Sequence, residues 1–283
     1  VEKRVVDATD PTSLNAAMRG KFAVLSALPY HLTVGVAEAA RAAGTHYLDL
    51  TEDVASTRRV KDLAEDAPCA FIPQCGLAPG FISIVAYDVA SRFETLDTVR
   101  MRVGALPKYP SNALNYNLTW STEGVINEYL EPCEAIVEGR LITVPPLEER
   151  EEFSLDGILY EAFNTSGGLG TLCETLAGKV RSLNYRSVRY PGHRDIMKAL
   201  LHDLRLGSRR ELLKDILEHS IPATMQDVVL IFVTVTGTKR GRLLQETYAN
   251  KIYGREIDGK FYNGIQITTA SGICAVLDLL AAG

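Results

Sequence analysis

The chain has 283 residues, which is long enough for one large domain or two smaller domains with buried cores. Hydrophobic residues make up 46% and charged residues 23%, as in ordinary soluble globular proteins, and the net charge of −5 is spread without acidic or basic runs. This composition argues against nucleic acid and anionic membrane as partners, and the longest apolar runs, such as residues 228–235, are too short to span a bilayer.

Cysteine and histidine usage gives no sign of a metal site. The five cysteines and five histidines are scattered, without a Cys-x-x-Cys pair or a His/Cys cluster at metal-ligand spacing. No secretory signal opens the chain, so we expect reduced thiols and a cytoplasmic location. We expect no bound metal.

The first 80 residues alternate strand and helix signals with short connections. Predicted strands cover residues 4–6, 22–28, 46–50 and 70–73, and predicted helices cover residues 11–18, 32–43 and 54–65. Asp10 is the expected N-cap of the first helix, with Pro11 at its first position, and Gly44 is the expected end of the second. This rhythm predicts an α/β fold with a Rossmann-like, doubly wound parallel sheet.

The pattern changes after Gly80. A helix over residues 81–93 leads to predicted strands at 98–105, 135–144, 152–163, 182–190 and 228–237, with helices at 122–129, 169–177, 194–204 and 209–218. A last helix, residues 270–282, is apolar on most faces and is expected to be buried. These elements predict a second, α+β domain for substrate binding and dimerisation over residues 94–265. Residues 1–93 with 266–283 form the predicted dinucleotide-binding domain, and a homodimer is expected.

A dinucleotide-binding fold normally opens with a strand, a Gly-rich turn and a helix whose N-terminus holds the pyrophosphate. The chain instead begins at what corresponds to the third strand of that fold. The glycines at 167, 168 and 170 imitate the fingerprint, but Cys173 stands where its third glycine is required, and no acidic residue follows about 20 positions later. This cluster is either a capped Gly-rich turn or a cradle for a substrate carboxylate.

Four segments together resemble the saccharopine dehydrogenase-like family. They are SALPY at 26–30 with HYLDLT at 46–51, QCGLAPG at 74–80, GALPK at 104–108 with YNLTWS at 116–121, and residues 165–176 with YPGH at 190–193. The likeness runs through nearly the whole chain and is closest to the lysine 6-dehydrogenases, with the saccharopine dehydrogenases as neighbours. It implies that about 60 residues, carrying the Gly-rich loop, precede Val1 in a complete enzyme.

The resemblance implies a nicotinamide cofactor, NAD or NADP, with NAD favoured. It places Asp7 and Ala8 near the adenine. The residues expected to border the nicotinamide ribose and phosphates are Ser26, Ala27, Leu28 and Pro29. Gly76 would let the backbone approach the cofactor closely, although simple turn geometry is the alternative explanation.

Proton transfer has three candidates, each with a structural alternative. Asp49, at a strand end, could hold an ammonium group or cap the next helix. Lys108 could bind a substrate carboxylate, or serve as a base if burial lowers its pKa, or be a solvated surface lysine. His193 suits a proton shuttle or a helix N-cap.

The predicted substrate pocket combines aromatic and small polar residues. Tyr116 and Trp120 could wall the aliphatic stem of lysine, although core packing explains aromatic residues more often. The predicted carboxylate cradle consists of Thr165, Ser166, Gly168 and Thr171. Arg186 and Arg189 are compatible with a carboxylate site, but arginines on a wet sheet face are more common, and no role is assigned to them.

These features predict an oxidoreductase that acts on the C–N bond of a lysine-derived amino acid. The leading hypothesis is oxidative deamination of L-lysine at its ε-carbon to the semialdehyde, which is L-lysine 6-dehydrogenase activity. The alternative reaction is that of an NADP-dependent, glutamate-forming saccharopine dehydrogenase. An alternative of another class is a cofactor-free remnant that binds an amino acid or dimerises without chemistry.

Overall fold

The computed structural model describes residues 2–283, which form two compact units. The first unit runs to Gly80 and takes in Thr269–Gly283, and the second is Phe81–Thr268. The first unit is therefore built from both ends of the sequence. The roles predicted for residues 1–93 with 266–283 and for residues 94–265 stay predictions.

The first unit contains a parallel three-stranded sheet. Its strands are β1 (Ala23–Ser26), β2 (His46–Asp49) and β3 (Phe71–Ile72), in that order across the sheet. Three helices precede or connect them: α1 (Pro11–Met18), α2 (Tyr30–Ala43) and α3 (Val54–Ala64). Their apolar sides meet β2 in a core that includes Leu14, Val36, Tyr47 and Val60. The predicted α/β fold with a Rossmann-like parallel sheet is confirmed.

The ends of these helices follow the sequence signals. The carboxylate of Asp10 accepts hydrogen bonds from the backbone N–H groups of Thr12 (3.0 Å) and Ser13 (3.1 Å), and Pro11 occupies the first turn. Helix α2 ends at Gly44 in the left-handed conformation, with a φ of 65°. Glycine adopts this conformation without the steric cost that a Cβ imposes.

Residues 4–6 do not form the predicted strand. Val5 is fully exposed and Val6 is 39% exposed, and no strand among residues 2–283 pairs with this segment. A strand requires a neighbour to satisfy its backbone N–H and C=O groups, and a short apolar pattern does not supply one.

The last helix, α9 (Gly264–Ala282), starts earlier than predicted and is largely exposed. Ile273 is buried against Leu48 and Cys75, and Leu277 packs beside it, whereas Leu279 is 73% exposed. The expected burial is therefore wrong for most of the helix. By length and composition alone α9 would suffice to cross a membrane, a test that core helices of soluble proteins also pass.

The second unit is organised around an eight-stranded mixed sheet. Its strands are β4 (Thr95–Pro107), β5 (Cys133–Val137), β6 (Arg140–Val144), β7 (Glu151–Leu155), β8 (Ile158–Asn164), β9 (Val180–Arg189), β10 (Asp227–Lys239) and β11 (Arg242–Tyr253). Strands β4 and β9 are parallel, and β11, β10, β4 and β9 are consecutive in the sheet. The other edge of β9 pairs with β5 and with β8. A separate small hairpin joins β12 (Arg255–Ile257) to β13 (Lys260–Tyr262).

Five helices accompany this sheet: α4 (Phe81–Ala90), α5 (Thr122–Leu130), α6 (Leu172–Thr175), α7 (His193–Lys198) and α8 (Arg210–Ser220). Helix α7 continues as a π-helical turn over Ala199–Asp203, and Leu206–Ser208 is a 3-10 turn. The strands predicted at 135–144 and 152–163 are hairpins, because Gly139 and Gly157 turn the chain at positive φ. Strand β11 was not predicted.

Gly272 marks the point where α9 comes closest to the first-unit sheet. A Cβ there would lie 2.8 Å from the carbonyl oxygens of both Cys75 and Gly76. We expect Gly272→Ala to lower the free energy of unfolding by about 1–3 kcal/mol through overpacking. The matched control is Gly35→Ala inside α2, where nothing lies within 4 Å, and which should be neutral or stabilising by up to about 1 kcal/mol. Urea denaturation followed by circular dichroism measures both, and equal midpoints would contradict the prediction.

Candidate active site

Asp49 lies at the carboxyl end of β2 and is enclosed by the first unit. Its carboxylate accepts hydrogen bonds from the Tyr47 hydroxyl (2.8 Å) and from the backbone N–H groups of Thr51 (3.0 Å) and Gln74 (2.9 Å). Burial raises the pKa of the Asp49 carboxyl, and these hydrogen bonds oppose the shift. Asp49 therefore ties together the chain segments that follow β2 and β3.

Ser26, at the end of β1, has an unsatisfied hydroxyl. Ser26 is 5% exposed, and its Oγ has no hydrogen-bond partner within residues 2–283. The next three residues, 27–29, are exposed, and α2 then begins without a side-chain cap. An orphaned hydroxyl and an open helix start at a parallel strand end fit the ribose and phosphates of a nicotinamide dinucleotide.

The turn after β3 is closed by a backbone bridge between Gly76 and Gly80. Gly80 has a φ of +127°, and a Cβ on it would lie 2.3 Å from the carbonyl oxygen of Gly76, so this position requires glycine. A Cβ on Gly76 would make ordinary contacts with Pro79 and Leu50. Turn geometry accounts for Gly80, and the cofactor contact of Gly76 stays a prediction.

Asp7 and Ala8 lie in the turn before α1. The Asp7 carboxylate accepts hydrogen bonds from the backbone N–H (2.8 Å) and hydroxyl (2.7 Å) of Thr9, which hold the pKa of Asp7 below its usual range. Asp7 is exposed, and its carboxylate is ionised at neutral pH. Its contact with adenine, and that of Ala8, stay predictions.

Arg189, the last residue of β9, is a deeply buried cation of the second unit. It is 3% exposed; its Nε donates to the Tyr129 hydroxyl (2.8 Å) and its Nη1 donates to the carbonyl of Val188 (2.8 Å). The guanidinium carbon lies 5.3 Å from the ring centre of Tyr116 and 5.7 Å from that of Tyr129. The Glu128 carboxylate stabilises this charge, and the hydrogen bonds and ring contacts of Arg189 go to a hydroxyl, a backbone carbonyl and two aromatic rings.

His193 continues this cluster. Its Nδ1 lies 2.9 Å from the carbonyl oxygen of Leu114, and its Nε2 lies 3.0 Å from the Tyr129 hydroxyl. Because a carbonyl only accepts, Nδ1 carries the proton and Nε2 accepts from Tyr129. Burial, together with the charge of Arg189, lowers the pKa of His193 to about 3, so the ring is neutral at physiological pH.

A buried carboxylate, Glu161, fixes the turn that presents His193. Glu161 accepts from the backbone N–H groups of Gly192 (3.2 Å) and Arg194 (2.7 Å) and from Nε of Arg150 (2.9 Å). Gly192, with a φ of 94°, is the N-cap of α7, and His193 is the first helical residue. The alternative role of His193 as an N-cap is therefore wrong.

Tyr116 and Trp120 belong to the same cluster. The Tyr116 ring lies 5.2 Å from the His193 ring, and Trp120 packs against the surrounding apolar core. The hydroxyls of Tyr116 and Thr119 are enclosed, lie next to each other, and have no hydrogen-bond partner of normal geometry within residues 2–283. Packing explains the rings, but it leaves these two hydroxyls, one of them on the ring that contacts Arg189, without a regular partner in the described part of the chain.

The predicted carboxylate cradle is occupied by the protein's own contacts. Thr165 shares a hydrogen bond with the Ser187 hydroxyl (2.8 Å), and the Ser166 hydroxyl donates to the carbonyl of Pro132 (3.0 Å). Gly168 packs against the Tyr185 ring, which a Cβ would approach to 2.2 Å. Thr171 is exposed and begins the four-residue helix α6. These contacts favour a packed Gly-rich turn.

Lys108 is exposed just after β4. Its Nζ lies 5.3 Å from the ring centre of Tyr109 and 5.6 Å from that of Tyr253. The hypothesis that Lys108 is a base required burial, and its exposure removes that argument. Of the predicted site residues in the second unit, the structure brings together Tyr116, Trp120 and His193. Lys108 instead contacts Tyr109 and Tyr253, and the turn at 165–171 packs against Ser187, Pro132 and Tyr185.

Among residues 2–283 no three His, Cys, Asp or Glu side chains are arranged to hold a metal ion. The buried ionisable cluster around Arg189 therefore consists of side chains that bind through hydrogen bonds and charge.

Comparison with known protein families accounts for both units. The family model for the saccharopine dehydrogenase C-terminal domain matches residues 76–282, and the model for the saccharopine dehydrogenase NADP binding domain matches residues 1–72. The chain belongs to the saccharopine dehydrogenase family. The resemblance in the four sequence segments is thus confirmed.

Relatives within and beyond this family are distant in sequence. The mitochondrial alpha-aminoadipic semialdehyde synthase of Bos taurus is 22% identical over 251 residues, covering 82% of this chain but only 26% of its own length. Apo saccharopine dehydrogenase (L-Glu forming) from Saccharomyces cerevisiae is 16% identical, with a TM-score of 0.78, covering 98% of this chain and 80% of its own. Homospermidine synthase from Legionella pneumophila, in complex with NAD, is 12% identical, with a TM-score of 0.62, over 99% of this chain and 73% of its own. The two structures share the fold.

Sequence reasoning about this saccharopine dehydrogenase-family chain missed Tyr129 and Glu161 and left Arg189 without a role. For Arg189 a carboxylate site and a wet sheet face were both left open; the residue is buried at the end of β9. Its position directly before the YPGH segment at 190–193 was the available signal. Tyr129 gives no signal of its own, because a tyrosine on the buried side of a helix is ordinary core composition.

The neutral, buried state of His193 predicts an acid-sensitive stability. The folded pKa is depressed to about 3 and the unfolded value is about 6.5, so the stabilising contribution is present above pH 6.5 and is lost as the pH falls toward 3. The loss should reach about 1.4 kcal/mol per pH unit in this window. His193→Phe should flatten the dependence of the urea midpoint on pH between 7 and 4, and replacement of the exposed His219 by Gln should not. Parallel curves for all three proteins would refute this.

Proposed function

We propose that the protein is a nicotinamide-dependent oxidoreductase that deaminates L-lysine at its ε-carbon. Membership of the saccharopine dehydrogenase family supports oxidation at a carbon–nitrogen bond of a lysine-derived amino acid. The observation that carries the proposal is the enclosed guanidinium of Arg189, whose hydrogen bonds go to a hydroxyl and a backbone carbonyl in the second unit.

Arg189 is suited to bind the α-carboxylate of an amino acid. A guanidinium has five N–H donors, and hydrogen bonds to Tyr129 and Val188 use one on Nε and one on Nη1. The remaining donors can form a charge-assisted, bidentate pair with a carboxylate. Tyr116, whose ring contacts the guanidinium, adds a buried hydroxyl that has no regular partner within residues 2–283.

The other well-buried arginines favour a substrate with a single carboxylate. Arg102 forms an ion pair with Glu151, and Arg186 pairs with Glu151 (3.0 Å) and Glu149 (2.7 Å). These cations already have acidic partners within the chain. Lysine needs one cation for its carboxylate, whereas saccharopine also presents a glutamate-derived dicarboxylate arm. This distribution of charge favours lysine.

The first unit supplies the proposed cofactor site. The buried hydroxyl of Ser26 and the exposed backbone of Ala27, Leu28 and Pro29 would hold the ribose and phosphates, and Gly76 would border the same group. When bound, NAD, which the resemblance to lysine 6-dehydrogenases favours over NADP, would supply the acceptor for the hydride that leaves the carbon carrying the amine. Water then replaces the amine, releasing ammonia and the semialdehyde.

Recognition and proton handling fall to different groups. Tyr116 and Trp120 would pack along the aliphatic stem of lysine. His193 is neutral and fully engaged, and Asp49 is enclosed by three hydrogen bonds, so their contacts favour positioning roles. We infer that the ε-amine enters in its neutral form from solution.

This mechanism predicts substrate selectivity and a particular pH profile. With NAD, the intact protein should form NADH from L-lysine and at least tenfold more slowly from saccharopine. Because the neutral amine is the reactive form and its pKa is about 10.4, kcat/KM should rise about tenfold per pH unit from about pH 5.5 toward 10, without a break near 6.5. Initial rates measured by absorbance test both points. Faster turnover of saccharopine would favour the glutamate-forming dehydrogenase, and turnover of neither would overturn the proposal.

Replacement of Arg189 tests the carboxylate contact. Arg189→Met keeps the length of the side chain but removes the charge-assisted hydrogen bonds to the substrate carboxylate. Because these hydrogen bonds together contribute about 3 kcal/mol, kcat/KM for lysine should fall about 100-fold. The control Arg181→Gln removes an exposed arginine from the same strand and should change kcat/KM less than twofold. Both variants are checked for folding by circular dichroism. A folded Arg189→Met variant with unchanged kcat/KM would exclude the contact.

A further inference from the structure

We propose that Tyr129 and His193 are positioning residues that hold the guanidinium of Arg189 in one orientation for the substrate's carboxylate. The inference rests on the proposed function and adds residues to it that do not touch the substrate. It follows from a chain of three hydrogen bonds, termed the relay, that starts at the backbone carbonyl of Leu114 and ends at Nε of Arg189.

The direction of this chain is fixed at its first link. The carbonyl of Leu114 can only accept, so Nδ1 of His193 donates to it and Nε2 is left as an acceptor. The Tyr129 hydroxyl must then give its single hydrogen to Nε2. Its oxygen lone pairs are thereby turned toward Nε of Arg189, which donates at 2.8 Å.

The chain depends on a neutral imidazole. A protonated His193 would donate from Nε2, and the Tyr129 hydrogen would have to turn away from it, in competition with Nε of Arg189. Burial and the neighbouring positive charge both oppose protonation of His193. The backbone hydrogen bonds to Glu161 hold the turn at Gly192 and Arg194, so the imidazole has little freedom to leave.

The aromatic rings and the relay fix different degrees of freedom of Arg189. Contact with the rings of Tyr116 and Tyr129 restricts the plane of the guanidinium, while the bond from Nε sets its rotation within that plane. The Nη1 bond to Val188 leaves Nη2 and one N–H of Nη1 for a ligand. A guanidinium held before binding loses less entropy when the carboxylate arrives.

Steady-state kinetics of single variants separates positioning from chemistry. Tyr129→Phe removes the acceptor for Nε, and His193→Phe keeps a ring in place but removes the acceptor for Tyr129. Each should raise the KM for lysine about tenfold with kcat changed less than twofold, because uniform binding is lost. The glutamine of His193→Gln can again accept a hydrogen bond from Tyr129, so log KM for lysine should rise by no more than half as much in this variant as in His193→Phe. The control Tyr160→Phe removes a buried hydroxyl from another cluster and should leave KM unchanged.

Nuclear magnetic resonance of arginine Nε–H groups, in protein labelled with ¹⁵N-arginine, gives a readout that does not require turnover. The resonance that disappears in Arg189→Met identifies Nε of Arg189. Its exchange with water should accelerate at least tenfold in Tyr129→Phe and His193→Phe and stay slow in His193→Gln and Tyr160→Phe. Unchanged exchange in Tyr129→Phe, or an equal KM in His193→Gln and His193→Phe, would overturn the relay. If the wild-type protein turned over neither amino acid, the proposed function would be wrong. The exchange rates of Arg189 Nε–H would still test the relay, because they do not depend on turnover.

Discussion

The burial of the Arg189 guanidinium is the constraint on which the second unit depends. Removing a charge from water is costly unless hydrogen bonds and nearby polar groups replace the lost hydration. For Arg189 the replacement comes from a tyrosine hydroxyl, a backbone carbonyl and two aromatic rings. The surrounding elements hold these groups in position. Glu161 fixes the turn before α7, and α5 carries Tyr129.

The first unit uses a carboxylate in a comparable structural way. Asp49 is buried at the end of β2, where its carboxylate accepts hydrogen bonds from the Tyr47 hydroxyl and from the backbone N–H groups of Thr51 and Gln74. These bonds connect the segments that follow β2 and β3. The turn between Gly76 and Gly80 then keeps the chain close to the strand ends. Ser26 is different, since its buried hydroxyl has no such partner among residues 2–283. The buried Asp49 carboxylate is thus fully hydrogen-bonded, whereas the buried Ser26 hydroxyl lacks a regular partner in the part of the chain that the structure describes.

Sequence reasoning succeeded where the signal was local. The cap at Asp10, the glycine end at Gly44 and the β-α alternation each depend on residues within a few positions, and they located the helices and parallel strands. It failed for residues 4–6 and for the burial of α9, because both depend on which distant surface is available for packing. For the same reason, the sequence could not predict that the residues around Arg189 form one cluster. They come from a loop, a helix and a strand that only the fold brings together.

The composition of the first unit from both ends of the chain has a consequence for biosynthesis. The contact of Ile273 with Leu48 and Cys75, and the close approach of Gly272 to the turn after β3, involve residues that leave the ribosome only after the whole of Phe81–Thr268. Phe81–Thr268, by contrast, is one uninterrupted stretch that can acquire its sheet while translation continues. Until α9 emerges, the apolar surface around Leu48 lacks its cover, so the core of the parallel sheet can be completed only after the second unit has been synthesised.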